Sequence, residues 1–460
     1  MHLANTTTTA IFNRITGFIF ALLVTHFSQA QDNSPYSRYG IGDVVPNGNI
    51  TTRAMGGISA AYSFDNSIKA VPISSLNIDN PASLGSLSNN SYINVLFDIG
   101  GEIDKHTLKS NNSPAKYTSN NTNISYLQFG IPIAGKKLED KGIQWGLSFG
   151  LRPVTRINYK IEDYRRISNI DTALYTYEGN GGISQANIST GVKIKNFSFG
   201  VSTGYSFGSK DYSTKLRFLN DTIHYYSSNS AAKTRFGGVF LTIGAQYHVP
   251  TKKGNLQIGA FANLQQNLSA NLDSIDETIG YDFTGGNYTI DTVSYASEIS
   301  GKIIVPANYT LGFIYSQPHW LMGADFTISR WGDYKSYGKK EAATQNNWTL
   351  KIGGQYFAAN EATVSNNYWK FVKYRAGFYI GPDYIKLDAK SRNQYGFSVG
   401  AGFPLTSFQR LRLGEFVTLN TGIEFNARGN TVSRSMRENI VRFNFGISMG
   451  QHWFQKRKYD

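Results

Sequence analysis

The sequence contains no cysteine among its 460 residues, and this absence excludes a fold held together by disulfide bonds. It also lacks any run of 18 or more apolar residues, which excludes a membrane protein that crosses the bilayer with helices. Charged residues are scarce at 17%, whereas aromatic residues reach 14%. So many aromatic groups do not stay solvated in a disordered chain. The composition therefore favours a large, glycine-rich β protein.

The first 30 residues have the pattern of a secretory signal peptide. Arg14 precedes an apolar stretch from Ile15 to Val24, and Ser28-Gln29-Ala30 places small residues ahead of a cleavage site. A membrane anchor would need about 20 apolar residues, roughly twice the length present. We therefore expect export through a signal peptide that is then removed.

Strict alternation of apolar and polar residues predicts β-strands that have one apolar face. Every second residue is apolar from Ile143 to Leu151, and the same pattern recurs from Phe197 to Phe207 and from Val441 to Met449. Fourteen strands are predicted, starting near residues 91, 121, 143, 184, 196, 236, 255, 308, 319, 347, 371, 394, 415 and 439. Each is about 9–13 residues long, close to the length that crosses a bilayer at a tilt.

The segments between the predicted strands alternate in length. One set is short, apart from 358–370, and the other contains four long segments at 104–120, 155–183, 209–235 and 268–307. Short periplasmic turns and long extracellular loops on an even number of strands are typical of an outer-membrane barrel. Because lipid offers no partners for backbone groups, such a sheet must close on itself. The predicted fold is all-β, a 14-stranded antiparallel transmembrane β-barrel of a Gram-negative outer membrane.

The tryptophans and the positive charge agree with this interpretation. All six tryptophans fall near a predicted strand end, where interfacial aromatic residues anchor a barrel; they are Trp145, Trp320, Trp331, Trp348, Trp369 and Trp453. The 45 Lys and Arg outnumber the 31 Asp and Glu, but they are dispersed along the chain. This distribution suits outer-membrane lipid and phosphate-bearing glycolipid as partners, and it argues against nucleic acid.

Residues 31–90 precede the first predicted strand and contain many apolar side chains. They are interpreted as an N-terminal hatch that plugs the lumen, with a disordered periplasmic tail as the alternative. Small residues on the lumen side of the strands, such as Gly146, Ser148 and Gly200, leave room for such a plug. The expected organisation is a signal peptide at 1–30, a hatch at 31–90 and a barrel at 91–460.

The motifs of this segment resemble the hatch of the FadL-type outer-membrane transporters. The matching stretches are Met55-Gly56-Gly57, Ala60-Ala61, Asp65-Asn66 and Asn80-Pro81-Ala82-Ser83. Two further stretches, at 34–40 and 453–458, resemble a divergent branch of that family that includes PorV-like barrels. The resemblance implies a 14-stranded barrel with a hatch that handles fatty acids and other hydrophobic compounds. It makes six residues the hatch motif, namely Gly56, Gly57, Asp65, Asn80, Pro81 and Ala82.

In that family the substrate enters through the long loops and leaves sideways at a kinked third strand. Here the third predicted strand ends at Arg152-Pro153, which is either a candidate lateral gate or a plain strand terminator. Two of the long loops carry apolar residues suited either to substrate capture or to packing on one another. These are Leu216, Phe218, Leu219, Leu272, Ile275 and Ile279. The spacing of the last three predicts one face of a short helix.

No motif in the sequence points to catalysis. The histidines are scattered, and no metal-spaced cluster or phosphate-binding loop is visible, so we expect no enzyme activity, no cofactor and no metal. Two functions remain open. One is a passive channel for uptake of hydrophobic small molecules, fatty-acid-like or aromatic. The other is a non-transporting barrel that serves as an attachment or assembly partner of secretion-system proteins, which the polar lumen residues Gln185 and Asn187 favour.

Overall fold

The computed structural model describes residues 34–63, 75–89, 95–110, 113–134, 136–168, 171–219, 225–251, 254–282, 286–359, 367–387, 390–406, 415–429 and 436–451. The expected signal peptide, the hatch residue Asp65 and the anchor Trp453 lie outside these ranges.

Fourteen antiparallel strands form one closed sheet, as predicted. They are β1 (Val95–Ser110), β2 (Ser113–Pro132), β3 (Ile143–Ile167), β4 (Asp171–Ile194), β5 (Phe197–Phe218), β6 (Ser227–Pro250), β7 (Asn255–Asn263 and Gln266–Tyr281), β8 (Asn287–Val305 and Asn308–Ser316), β9 (Trp320–Ser329), β10 (Asn347–Phe357), β11 (Lys373–Leu387), β12 (Lys390–Pro404), β13 (Phe416–Arg428) and β14 (Met436–Gln451). β14 pairs with β1 along its whole length, and this pairing closes the barrel.

The predicted number of strands is confirmed, but their predicted lengths are wrong at one end of the barrel. Strands β3 to β6 have 22 to 25 residues each, because most of the long loops predicted at 155–183 and 209–235 continue as paired strands. The same holds for much of 104–120 and 268–307. Polar residues are frequent on both faces of these extensions, so the regular alternation is lost in most of them while the backbone pairing continues. We call this end of the barrel the long-hairpin end.

The predicted short helix in the last of these segments is also wrong. Leu272, Ile275 and Ile279 all lie in β7, which pairs with β6 without a register shift in this region. Because side chains alternate along a strand, Leu272 lies on the opposite face from Ile275 and Ile279. The spacing i, i+3, i+7 therefore does not place Leu272, Ile275 and Ile279 on one face.

An apolar band surrounds the barrel below these extensions. On β5 it runs from Phe197 to Phe207, and its outward apolar side chains are 42–57% exposed, as lipid-facing groups are in the absence of lipid. Ten residue steps of about 3.4 Å, tilted by about 40°, give a band roughly 25 Å tall, the height found on outer-membrane barrels.

The remaining elements are short. The N-terminal part contains a 3-10 helix (Pro35–Arg38), a two-residue strand (Asp43–Val44), helix α1 (Ile50–Arg53) and a second 3-10 helix (Pro81–Asn89). Connections between barrel strands contain helix α2 (Lys136–Glu139), the 3-10 helices Trp331–Asp333 and Tyr368–Phe371, and the short strands Lys335–Ser336 and Lys339–Lys340. Among the described residues, no helix has the length and apolar character needed to traverse a bilayer.

Candidate functional site

The N-terminal segment, defined here as residues 34–63 and 75–89, lies inside the barrel. Helix α1 contacts β12, β13 and β14 on one side of the lumen. The 3-10 helix Pro81–Asn89 contacts β2 to β6 on the other side. Most of the segment is buried, although none of its residues belongs to the fourteen barrel strands. The lumen is therefore occupied across its width.

Glycines on the inner face of the strands let this segment approach the wall. A methyl group added at Gly200 would collide with the backbone of Pro81, and one added at Gly146 would collide with the backbone of Leu84. A methyl group at Gly244 would overlap the side chain of Asn80. The small lumen-side residues noted in the sequence thus make room for the segment.

The hatch-motif residues that the structure describes stabilise the turns of the N-terminal segment. The amide of Asn80 donates a hydrogen bond to the carbonyl of Ala60 (2.6 Å), and its side-chain oxygen accepts one from the backbone N–H of Ala82 (3.1 Å). Gly56 and Gly57 have φ angles of +71° and +84°, a backbone conformation that favours glycine. Gly56 lies close against the backbone of β11, where a side chain would not fit.

Arg53 anchors the segment electrostatically. Its guanidinium lies 2.7 Å from the carboxylate of Glu102 on β1 and 2.8 Å from that of Glu424 on β13, and all three side chains are buried. Burial alone would lower the pKa of Arg53, but the two carboxylates raise it above its ordinary value, so the guanidinium stays charged. Arg156 and Arg442 extend the cluster, since each contacts one of the same carboxylates.

Further anchors hold the segment at other heights. The carboxylate of Asp325 on β9 accepts hydrogen bonds from the backbone N–H groups of Ser59 (2.6 Å) and Ala60 (2.8 Å). At the long-hairpin end, the guanidinium of Arg392 lies 3.3 Å from the centre of the Tyr36 ring. The sequence alone did not reveal Arg53, Asp325 and Arg392 as anchors, because single charged residues far apart in the chain resemble ordinary surface charges.

The wall itself has a discontinuity between β2 and β3. These strands pair only from 127–132 to 146–151, although β3 continues to Ile167 and β2 begins at Ser113. Above Leu151 the short strand Asp43–Val44 of the N-terminal segment pairs with β3 instead, at Arg156 and Thr155. Between β2 and β3, backbone pairing therefore closes the barrel only at the end opposite the long-hairpin end. Closer to the long-hairpin end, the N-terminal segment covers the opening. We call this region the β2–β3 gap.

The two candidate gate residues lie at the lower edge of this gap. Pro153 does not end its strand, so the interpretation as a strand terminator is wrong. A register shift in the pairing of β3 with β4 follows it, between Pro153 and Thr155, as expected where proline removes a backbone donor. Arg152 forms an ion pair with Asp79 (2.9 Å), which ties this point of the wall to the N-terminal segment.

A buried apolar cluster lies at the long-hairpin end, inside the wall. Its members come from the N-terminal segment, from β4, β6, β7 and β8, and from the β9–β10 connection; they are Ile41, Ile183, Phe236, Leu268, Ala270, Ile303, Val305 and Tyr334. Val154 of β3, beside the gap, packs against this cluster. The cluster thus extends along the inner wall to the gap.

The six predicted capture residues are not brought together in one groove. Leu216 and Phe218 lie near the end of β5, where the ring centres of Phe218 and Tyr225 are 5.1 Å apart. Leu219 is 40% exposed, whereas Ile279 is buried on β7. Leu272 and Ile275 are half-buried on opposite faces of the same strand.

The tryptophans divide into two groups. The rings of four are well exposed near strand ends, and these are Trp145, Trp320, Trp348 and Trp369. Trp145 also donates a hydrogen bond to Thr190 (2.8 Å). Trp331 instead packs inward, with its ring centre 4.8 Å from that of the buried Tyr384. Its place after the strand end made it look like an interfacial residue.

A cavity of about 210 Å³ remains between the N-terminal segment and the inner faces of β9 to β14. Its lining includes four cationic side chains, Arg53, Lys351, Arg428 and Arg442, and two acidic ones, Glu424 and Asp383. This part of the lumen is polar and is therefore unsuited to an apolar ligand.

Comparison with known proteins identifies the family. The model of the BamG family matches residues 11–460, almost the entire chain. This chain belongs to the BamG family. No curated protein sequence matches it.

Two solved structures share the fold of this BamG-family chain. A FadL homologue of Pseudomonas aeruginosa is 13% identical, with a TM-score of 0.52 over 90% of this chain and 100% of that one. The toluene transporter TodX of P. putida is 14% identical, with a TM-score of 0.52 over 89% of this chain and 100% of that one. Identities this low establish the barrel architecture alone, and the resemblance to FadL-type barrels is confirmed at that level.

Proposed function

We propose that this barrel is a passive outer-membrane channel for hydrophobic small molecules that leave sideways through the β2–β3 gap. The observation that carries the proposal is the loss of β2–β3 pairing beyond Leu151, beside the buried apolar cluster against which Val154 packs. Burial of an apolar solute against such a wall contributes roughly 25 cal/mol per Å². The substrate class is fatty-acid-like or aromatic compounds, which enter from the long-hairpin end.

The polar part of the lumen supports a lateral exit over a straight one. A hydrophobic solute that continued down the barrel axis would have to pass the cluster of Arg53, Glu102 and Glu424, where it could satisfy none of the buried charges. An exit above this cluster avoids that cost. It requires only that the strand Asp43–Val44 moves away from β3.

A reversible lock tests this route. The chain has no cysteine, so the double variant Val44→Cys with Thr155→Cys forms a disulfide only between the two introduced residues. These residues are directly opposite each other in an antiparallel pair, at a spacing that a disulfide can bridge. The control pair Thr310→Cys with Thr327→Cys joins β8 to β9, away from the gap.

Uptake of a fluorescent long-chain fatty acid and of toluene into proteoliposomes is the readout. We expect the oxidised gap lock to reduce uptake to the rate of protein-free vesicles, a reductant to restore it, and the control pair to have no effect. Unchanged uptake with the gap locked contradicts the lateral route.

A second candidate function is a non-transporting partner of secretion-system proteins. The filled and charged lumen favours it, because a barrel that only docks other proteins needs no open path. If the unlocked wild-type chain transports neither probe, this function replaces the first.

A further inference from the structure

The β7–β8 hairpin differs in charge from the rest of this basic protein. Between Gly254 and Gly301 the sequence has six Asp or Glu and no Lys, Arg or His, whereas the whole chain carries a formal charge of +14. Asp291 and Glu298 lie on β8 itself, and both are exposed. Arg235 of β6 pairs with Asp273 (3.4 Å), but the hairpin itself carries a negative formal charge.

The outer edge of β8 is open. One edge of Asn287–Val305 pairs with β7 along its length. On the other edge, the described residues contribute backbone pairing only at Ile303 and Ile304, with the short strand Lys335–Ser336, and a hydrogen bond from the N–H of Tyr337 to Lys302. Within the described part of the chain, residues 287–298 thus have no strand neighbour on this edge.

This edge also exposes apolar side chains that lipid does not explain. Tyr288, Ile290, Val293 and Tyr295 are 44–71% exposed, well beyond the apolar band. Proteins usually protect such edges with lysine or proline, and residues 287–301 contain neither. Register shifts at Ile290 and Val293 make the edge irregular, yet both side chains are exposed.

We propose that residues 287–298 of β8 form a docking edge for a basic, extended segment of another polypeptide, which adds a strand to the sheet. Its backbone would pair with the free groups of β8, and its cationic side chains would face the acidic hairpin. Its apolar side chains would cover Val293 and Tyr295. This docking is independent of uptake through the β2–β3 gap, because strands β3 to β6 lie between the gap and the hairpin.

Binding of three fluorescent peptides to the full chain in nanodiscs tests the proposal. The first is a ten-residue peptide that alternates Lys and Val, the second replaces Lys by Glu, and the third is the Lys-Val peptide N-methylated at every second residue. N-methylation preserves charge and removes backbone donors. The protein variants are Val293→Lys, which places a charge on the open edge, and Ser228→Lys, which places the same charge on β6, between two paired strands.

We expect the Lys-Val peptide to bind the wild type and the Ser228→Lys variant with similar affinity. The N-methylated peptide, the Glu-Val peptide and the Val293→Lys variant should each weaken binding by about tenfold or more, about 1.4 kcal/mol. Equal binding of the N-methylated peptide would reduce the interaction to charge attraction and overturn the proposal. Cross-linked dimers of a Val293→Cys variant, formed without peptide, would assign the edge to a second copy of this chain and overturn it as well.

Discussion

The guanidinium of Arg53, on the N-terminal segment, lies 2.7 Å from the carboxylate of Glu102, on the barrel wall. Both side chains are almost fully buried, and 49 residues separate them in the chain. A buried ion pair of this kind holds a segment in one position, because either partner alone would be an uncompensated charge. We expect Arg53 to be central to keeping the N-terminal segment in the lumen.

Replacement of Arg53 by methionine is expected to be strongly destabilising. It removes the cation that the buried carboxylates of Glu102 and Glu424 share and leaves them with Arg156 and Arg442 as partners. We therefore expect a cost of about 3 kcal/mol, the lower end of the range for a broken buried ion pair. The measurement is the urea midpoint of the refolded barrel in lipid vesicles. The matched control is Arg165→Met, because Arg165 pairs with Asp163 in an exposed position. Such surface pairs contribute about 0–1 kcal/mol. Equal midpoints for the two variants would contradict the anchoring role.

Replacement of Gly200 by alanine tests the close contact between β5 and the N-terminal segment. The added methyl group would collide with the backbone of Pro81, and overpacking of this kind costs about 1–3 kcal/mol. We expect a lower urea midpoint and faster cleavage of the N-terminal segment by added protease. In the control Gly422→Ala, the methyl group meets its nearest neighbours, the Cβ of Ala54 and the carbonyl oxygen of Val399, at an ordinary 3.5 Å, and we expect little change.

Replacement of Trp145 by alanine is expected to remove an interfacial anchor. Its ring is exposed on β3, and its N–H bonds to Thr190, so the variant should lose about 1–3 kcal/mol of barrel stability. The variant Thr190→Val removes the hydrogen-bond partner alone and separates the two contributions. A Trp145→Ala barrel with the wild-type urea midpoint would show that this ring does not anchor the barrel.

The sequence predicted the barrel well because strand alternation survives wherever one face meets lipid and the other meets the lumen. Ile143 to Leu151 shows this pattern, and the strand begins where it was expected. The regular pattern is lost in most of the strand extensions beyond the band, where polar residues are frequent on both faces, and this is why the extensions of β3 to β8 were predicted as loops. The open edge of β8 belongs to the same region, and only the strand pairing of the folded chain reveals it.

The site was less predictable. Asn80 could be found because its motif is local, and its hydrogen bonds stay within the N-terminal segment apart from long contacts to β6 and β7. Arg53 and Glu424 are 371 residues apart, and a single sequence does not show that they meet. One signal was available: Glu102, Asp104 and His106 alternate on β1, and all three are buried. Charged residues in alternation on a barrel strand indicate a lumen with partners for them.

If the N-terminal segment is a plug, any hydrophobic molecule must leave by the side. Ion conductance in planar bilayers measures this most directly. The full-length chain should be closed, and a barrel that lacks residues 31–90 should conduct, because the space now filled from α1 to the 3-10 helix Pro81–Asn89 would admit water. The Arg53→Met barrel, which keeps the segment but loosens its anchor, should show intermittent openings. Equal conductance of the full-length chain and the deletion variant, with both correctly folded, would contradict the plug.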